Sequence, residues 1–454
     1  MNQSHRCAGC LLGLLLFWAP ASFANDLVEL YEAALTHDAT LQSAIYARDA
    51  AIEARPQALS QWLPQLSATA SATQERLDYA TSQFYGIEAS DCILNSVGNT
   101  THCFASAHGV GLQLTQSLWS YQAFSQLKES GFQVAAAKAS LLSTEQSLLL
   151  RVAQAYFAIM SAADHLTTSR NEREAFGALL NQARSREQTG ISPRSDVEQA
   201  QAFYDATEES VIDAQNALDD ANLALTVIVG AKVRPIAPLQ AEIPLTTPDP
   251  ESADEWVASA RQDNFDVRVA YLKAEAASRD ISVQRGKGLP TVLLSGSSSR
   301  QWQDVIIGGN QTLDTVSLSF NWPLFQGGAV ASAVRQAKSL FRQAQSDYEG
   351  VLRDNELQIR SAFRGVVNGI SRIAATKRAV TSGQVALEAS KRNREFGIGS
   401  EFEVLSNQNN YYAALGAYNQ ARYDYLTSVL TLKQQAGRLD KRDLIAIDDM
   451  LVKR

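Results

Sequence analysis

The chain has 454 residues, with 40 Lys and Arg against 48 Asp and Glu, and a formal net charge of −8. This acidic balance argues against any partner held by neutralising phosphates, so nucleic acid is not expected. No apolar run after the N-terminus approaches 18 residues, so a transmembrane helix is not available, and any membrane span has to come from β-strands.

In chain order, the N-terminus comes first. His5 and Arg6 form a basic start, Leu11 to Trp18 is apolar, and Ser22-Phe23-Ala24 fits a small-x-small cleavage site. Residues 1–24 therefore read as a signal peptide that is removed, taking Cys7 and Cys10 with it. It carries one Arg and no acid, which leaves 39 basic and 48 acidic residues and a net charge of −9. Of the cysteines, Cys92 and Cys103 remain, in one polar stretch rich in Gly, Asn, Ser and Thr, and in an exported protein such an isolated pair is expected to form a disulfide.

The rest of the chain is one pattern written twice. Asp38-Ala-Thr-Leu41 matches Asn264-Phe-Asp-Val267, and Leu63-Pro64 matches Leu289-Pro290, both at a shift of 226. Later anchors shift by 206 or 207: Leu118-Trp119 to Leu324-Phe325, Gly190 to Gly397, Asp196-Val197 to Glu403-Val404, and Gly230 to Gly437. The first repeat is expected over 25–230 and the second over 253–437. A linker at 231–252 with five prolines separates them, and 438–454 is left as a tail.

Each repeat opens with a predicted helix, Leu27 to Gln61 and Ala253 to Gly286, which stops at Leu-Pro because the residue before proline is pushed to extended geometry. A strand pair follows. Val110, Leu112, Leu114, Gln116 and Leu118 alternate with small polar residues, as do Val316, Leu318, Phe320, Trp322 and Leu324. Weaker partner strands start at Gln65 and Thr291. Trp62, Trp119 and Trp322 stand at the strand–helix junctions, where a bilayer interface favours them. A long helix comes next. Ser120 to Gln188 is free of proline, and a helix of that length spans roughly 100 Å. It turns at Gly190 and Pro193 and returns from Ser195 towards Val229, and the second repeat does the same around Gly397 and Gly399 and returns through Gln435. Ser195-x-x-Glu198 and Ser400-x-x-Glu403 fit capping boxes. Four strands cannot close a barrel, so several chains must pool theirs.

Taken together, the chain resembles the TolC family of outer-membrane exit ducts. The resemblance rests on the duplication, the entries at Pro64 and Pro290, the Leu-Phe-Gln-Gly-Gly run at Leu324 to Gly328, and the two glycine-centred turns. It implies a mixed α and β fold: a homotrimeric outer-membrane β-barrel of twelve strands, four per protomer, continuous with a long periplasmic α-helical barrel. It also implies passage of drugs, small molecules or secreted proteins, delivered by a periplasmic adaptor and an inner-membrane transporter. Carried over by position, the adaptor-docking turns are Arg186, Gly190, Ile191, Gly397 and Ile398, with Thr189 replacing an apolar residue. The gate positions are Asp196, Arg394 and Glu403. Arg394 replaces a tyrosine, Gly399 replaces an arginine, and Ser406 stands where a second aspartate is usual. From these departures an Arg394–Asp196 ion pair is expected across the hairpins.

No catalytic constellation is present. His-Glu-x-x-His and Gly-x-Ser-x-Gly are absent, and Gly286-Lys287 lacks the frame of a P-loop. The chain is expected to be neither an enzyme nor a cofactor-binding or metalloprotein. A secreted coiled-coil stalk is the alternative, but a stalk needs sustained heptads and no apolar-faced strands.

Overall fold

The computed structural model describes residues 27–80, 92–94, 100–232, 234–303 and 310–452; the signal-peptide reading of 1–24 lies outside them. Strands β1 (Gln65–Ala80), β3 (Thr100–Ser120), β4 (Thr291–Gln303) and β5 (Asn310–Asn321) form an antiparallel sheet in the order β1-β3-β4-β5, and the short β2 (Cys92–Leu94) pairs on β3. The strands predicted to begin at Gln65 and Thr291 begin there.

Register explains the alternation. Leu66 lies opposite Leu114 and Ala68 opposite Leu112. Leu114 lies opposite Gly296, and Leu294 opposite Leu318. These cross-strand partners share one face, which is apolar, while Ser67, Gln113, Ser297 and Thr315 share the other. Every residue of β5 is exposed. A sheet with one apolar and one polar face, and no helical layer covering either, is the pattern of a barrel wall between lipid and a wet lumen. No described helix is long and apolar enough to cross a membrane.

β3 runs straight into α4 (Tyr121–Gln188), whose first turn is capped by the Ser120 hydroxyl accepting from the Ala123 N–H. α5 (Arg194–Val229) returns along it. In the second repeat, α8 (Ala329–Glu395) and α9 (Glu401–Gln435) form the matching hairpin. α4 packs on α5 and α9, and α9 packs on α8, so the lower helices form a layer in the order α5-α4-α9-α8.

The opening helices are broken where single ones were expected. The first divides into α1 (Leu27–His37), α2 (Ala39–Ile52) and α3 (Ala54–Ser60). The second divides into α6 (Ala253–Asp263) and α7 (Phe265–Gly286). The cause is the repeat anchor itself: Asp38 and Asn264 are N-caps, with side chains accepting from the N–H of Leu41 and of Val267 at 2.7 and 2.9 Å. The returning helices end beside these breaks. Gly437 has φ +71°, and a Cβ there would lie 2.2 Å from the Asp263 carbonyl oxygen, so only glycine fits. Linker residues 234–252 have no helix. The tail contains one, α10 (Lys441–Asp448), whose Asp448 carboxylate accepts from the first N–H groups of α1, those of Leu27 and Val28. This joint of breaks, caps, linker and tail forms a waist around the long helices, and the main apolar core gathers there, from Leu148 to Met160 on α4 and Tyr423 to Leu432 on α9.

Arg151 on α4 fastens the first cap with two bonds to the Asp38 carboxylate, at 2.9 and 3.0 Å. Burial acts to raise the Asp38 pKa, but the Arg151 guanidinium and the Leu41 N–H outweigh it and hold the carboxyl below its usual range. The stability this contributes is complete above the unfolded-chain value near 4 and is lost as pH falls through the lower folded value. Arg151→Met should therefore cost about 2–3 kcal/mol at pH 7, and less at pH 3, below the unfolded-chain value. Thermal melts of both proteins at the two pH values check this, and an equal gap at both would contradict it. Asp38→Asn should keep the cap, as Asn264 does.

Candidate functional site at the hairpin turns

The two turns have the same backbone. Thr189 caps the C-terminus of α4 and Gly190 follows with φ +74°. The N–H groups of Gly190 and Ile191 donate to the carbonyls of Glu187 and Arg186. Phe396 caps the C-terminus of α8 and Gly397 follows with φ +75°, the N–H groups of Gly397 and Ile398 donating to the carbonyls of Arg394 and Asn393. In each, the bond reaching back five residues closes a Schellman-type stop that needs a left-handed residue. A Cβ at either glycine would meet nothing within 4 Å, so strain, not space, selects glycine. Gly399 is different: a Cβ there would come within 3.0 Å of the Arg394 nitrogen.

The turns present apolar side chains to solvent. Ile191, Phe396 and Ile398 are 74%, 78% and 79% exposed. Arg186, in the last turn of α4, is half-buried. Behind the tips lies a small separate core of Phe176, Leu179, Leu180, Leu387, Val404 and Leu405, which holds the two hairpins together.

Of the two expected capping boxes, neither shows the reciprocal glutamate bond among the described residues, and one of the two serines is an N-cap. Ser400 caps α9 by accepting from the Glu403 N–H at 3.1 Å. Ser195 does not cap α5, because Pro193, with extended ψ, starts that helix two residues earlier. Asp196 then lies inside the first turn, where its carboxylate favours the helix N-terminus.

The expected Arg394–Asp196 pair is not the one that forms within the chain. Arg394 is buried, and its guanidinium donates to Glu401 Oε1 and to Gln182 Oε1, each at 2.6 Å. The side chains of Arg394 and Glu401 are only 6% and 3% exposed. Glu401 is the first residue of α9, so the bond spans the turn of its own hairpin, while Gln182 lies on α4 and ties the second hairpin to the first. The physical reason is proximity: the turn folds Glu401 back beside the last turn of α8, where burial strengthens the charge pair. Among the described residues the Asp196 carboxylate has one neighbouring donor, the Ser195 hydroxyl at 3.5 Å. Glu403 is exposed and forms no ion pair among the described residues. Sequence reading missed Glu401 and Gln182. The available signal was the charged pair flanking the turn, Arg394 and Glu401, seven residues apart.

The pair is therefore stronger than the exposed one expected. Arg394→Ala leaves Glu401 buried and unpaired and should destabilise the tip by about 3–5 kcal/mol, whereas an exposed pair would cost about 0.2–1 kcal/mol. Replacing both partners, as Arg394→Met with Glu401→Leu, should cost far less than either loss alone. Hydrogen exchange at the 396–400 amides measures it. If Asp196→Ala loosens those amides as much as Glu401→Gln, the assignment is wrong.

Comparison with known proteins agrees with this architecture. Residues 30–231 and 256–438 match the family described as outer membrane efflux protein. The chain is 30% identical to the outer membrane protein TolC of Escherichia coli over 98% of this chain and 88% of that one. It is 28% identical to the outer membrane protein TolC of Vibrio cholerae over 94% of each. Its fold superposes on the Campylobacter jejuni CmeC outer membrane channel with a TM-score of 0.75 at 17% identity, covering 100% of this chain and 98% of that one. With two matched segments coinciding with the two repeats and spanning most of the sequence, the chain belongs to the outer membrane efflux protein family.

Proposed function

We propose that three copies of this chain close into one duct, which receives its cargo from a periplasmic adaptor and an inner-membrane transporter docked at the hairpin turns. The chain itself is an outer-membrane exit duct for efflux and secretion, with its helical tunnel in the periplasm. The observation that carries the trimeric reading is the open layer. Among the described residues β1 and β5 each have a free edge, and bilayer-spanning backbone must be fully paired. Four strands per copy reach a closed barrel only by pooling, and three copies supply twelve. A stable, folded, membrane-inserted monomer would refute this.

In this reading Gly190, Ile191, Gly397 and Ile398, with Arg186 behind them, are the docking surface. The support is three highly exposed apolar side chains on left-handed turns, a surface suited to burial by a partner. Asp196, Arg394 and Glu403 are the gate positions. Arg394 holds the two hairpins of one copy together through Gln182, so opening the tip has to break or carry that link. A bound partner that favours the open tip by a few kcal/mol could do so.

Gly190→Trp and Gly397→Trp should each abolish export of a drug from intact cells while assembled duct is still found in the outer membrane. Gly190→Asn tolerates the left-handed turn and should retain most export. Full export by both tryptophan variants would exclude these turns as the docking site. The disulfide belongs to the same reading. Cys92 on β2 and Cys103 on β3 are paired directly across the two strands. A crosslink closing so short a loop contributes somewhat under about 3 kcal/mol. Alkylation of the non-reduced protein should label neither cysteine.

A further inference from the structure

The two repeats differ at the waist in what covers their hairpins. In the second repeat, part of the linker lies against α8 and α9. Thr246 is held there at both backbone groups: its N–H donates to the Tyr425 hydroxyl at 2.9 Å, and that hydroxyl donates to its carbonyl at 3.0 Å. Residues 246–249 share this groove with Val366, Val429 and Lys433, and a space of about 340 Å³ remains between them. The segment is non-helical, because Pro248 and Pro250 push the residues before them to extended geometry. Trp256 fastens its end by donating from Nε1 to the Pro250 carbonyl at 2.8 Å.

At the repeat shift of 207, Val366, Val429 and Lys433 become Ile159, Asn222 and Thr226, and Tyr425 becomes Leu218. All four line a cavity of about 930 Å³ between α4, α5 and linker residues 234–238. Nothing in the described chain takes the place that 246–249 take in the second repeat. The linker wall of this cavity is also unsatisfied. Ala237 is 5% exposed, yet neither its N–H nor its carbonyl is hydrogen-bonded among the described residues, and nor is the N–H of Ile236. Buried backbone groups without partners are rare in folded chains. Lys232 and Arg234, in the same lining, are exposed and form no ion pair or side-chain hydrogen bond among the described residues. The two carboxylates of the lining are already engaged, Asp164 by the Tyr423 hydroxyl at 2.7 Å and Asp219 by the Gln215 amide at 3.2 Å.

We infer that this cavity binds an extended segment of a partner protein, with small or apolar side chains against α4 and α5 and a carboxylate for Lys232 and Arg234. The length follows from the helix. Leu218 to Thr226 covers roughly 12 Å of α5, which about four extended residues span, as many as 246–249. The free backbone groups of Ile236 and Ala237 offer main-chain bonds, the mode by which an added strand gains affinity, and the pocket and cations supply specificity. The processed chain does not supply the segment itself. α1 (Leu27–His37) and α6 (Ala253–Asp263) match at both ends at a shift of 226, so the counterpart of 246–249 is 20–23. That stretch lies in the sequence read as a signal peptide, and its removal leaves the first groove without the strip that the second one has. Ala163, in the lining, is roughly 40 Å along α4 from Gly190, so this surface is separate from the hairpin turns.

The test uses the assembled, processed protein in mild detergent and, as probe, a fluorescent peptide with the sequence of residues 243–250, the strip that fills the matching groove. Fluorescence anisotropy should show saturable binding at one site per chain. Ala163→Phe, which fills the cavity, should abolish binding, and Ala163→Ser should keep it. Lys232→Glu with Arg234→Glu should weaken it about two- to tenfold at low salt. A peptide carrying Asp249→Lys should reverse that preference and bind the charge-changed protein better than the unchanged one. No saturable binding, binding indifferent to Ala163→Phe, or a preference that does not reverse would each overturn the proposal. So would an intact mass showing that the purified chain retains residues 20–23, since the chain would then carry its own strip. Ala163→Cys, with Cys92→Ser and Cys103→Ser, should remain open to a bulky maleimide. A short crosslinker that instead joins it to a neighbouring copy would assign the groove to that copy and overturn the peptide site.

Discussion

Backbone N–H and C=O groups at a strand edge need partners, and the interior of a bilayer has no water to supply them. In this chain that constraint falls on β1 and β5, the two ends of a sheet with one apolar face. The helices repeat the situation below, in a layer that ends in α5 and α8. A single chain is therefore a section of wall, not a container. Its duplication supplies two similar strips, and β3 running unbroken into α4 makes the strand layer and the helix layer one continuous surface.

A wall this long needs a place where helices can be exchanged without losing backbone bonds. The waist provides it. The returning helices α5 and α9 stop there, and α2 and α7 take over beside the long helices. Asp38 and Asn264 satisfy the N-terminal donors of the new helices, and Asp448 does the same for α1. Helix ends buried without caps would leave several orphan groups in one spot. The larger of the two apolar cores among the described residues surrounds this joint, which is where a long, narrow structure can bury most area away from water.

At the far end the balance differs. The tip core is small, and a buried charge pair does what apolar packing does at the waist. Such a pair adds little stability compared with hydrophobic residues of the same size, but losing one partner is costly, and its geometry is specific. That combination suits the gate proposed for this end, which would hold one arrangement and also change. The apolar side chains at the turns are left outside the core, free for contact.

The sequence by itself determined the elements and their order. Period-two alternation, a proline-free run longer than any globular domain accommodates, and left-handed glycines after each long helix are local signals. They act through backbone geometry and the burial of one face, so they are readable without knowing what lies opposite. The anchors Asp38 and Asn264 were visible as a repeat, but their meaning as helix breaks was not, because a cap is recognised only once the chain turns there. The tertiary structure decided the partners. Arg394 pairs with Glu401 and Gln182 instead of Asp196 because folding the turn buries Arg394 and Glu401 together, beside Gln182 at the surface, and burial, which has no sequence period, sets which charge is nearest. The tail helix over α1 was undecided for the same reason: it depends on contacts between segments far apart in the chain, which local pattern does not encode.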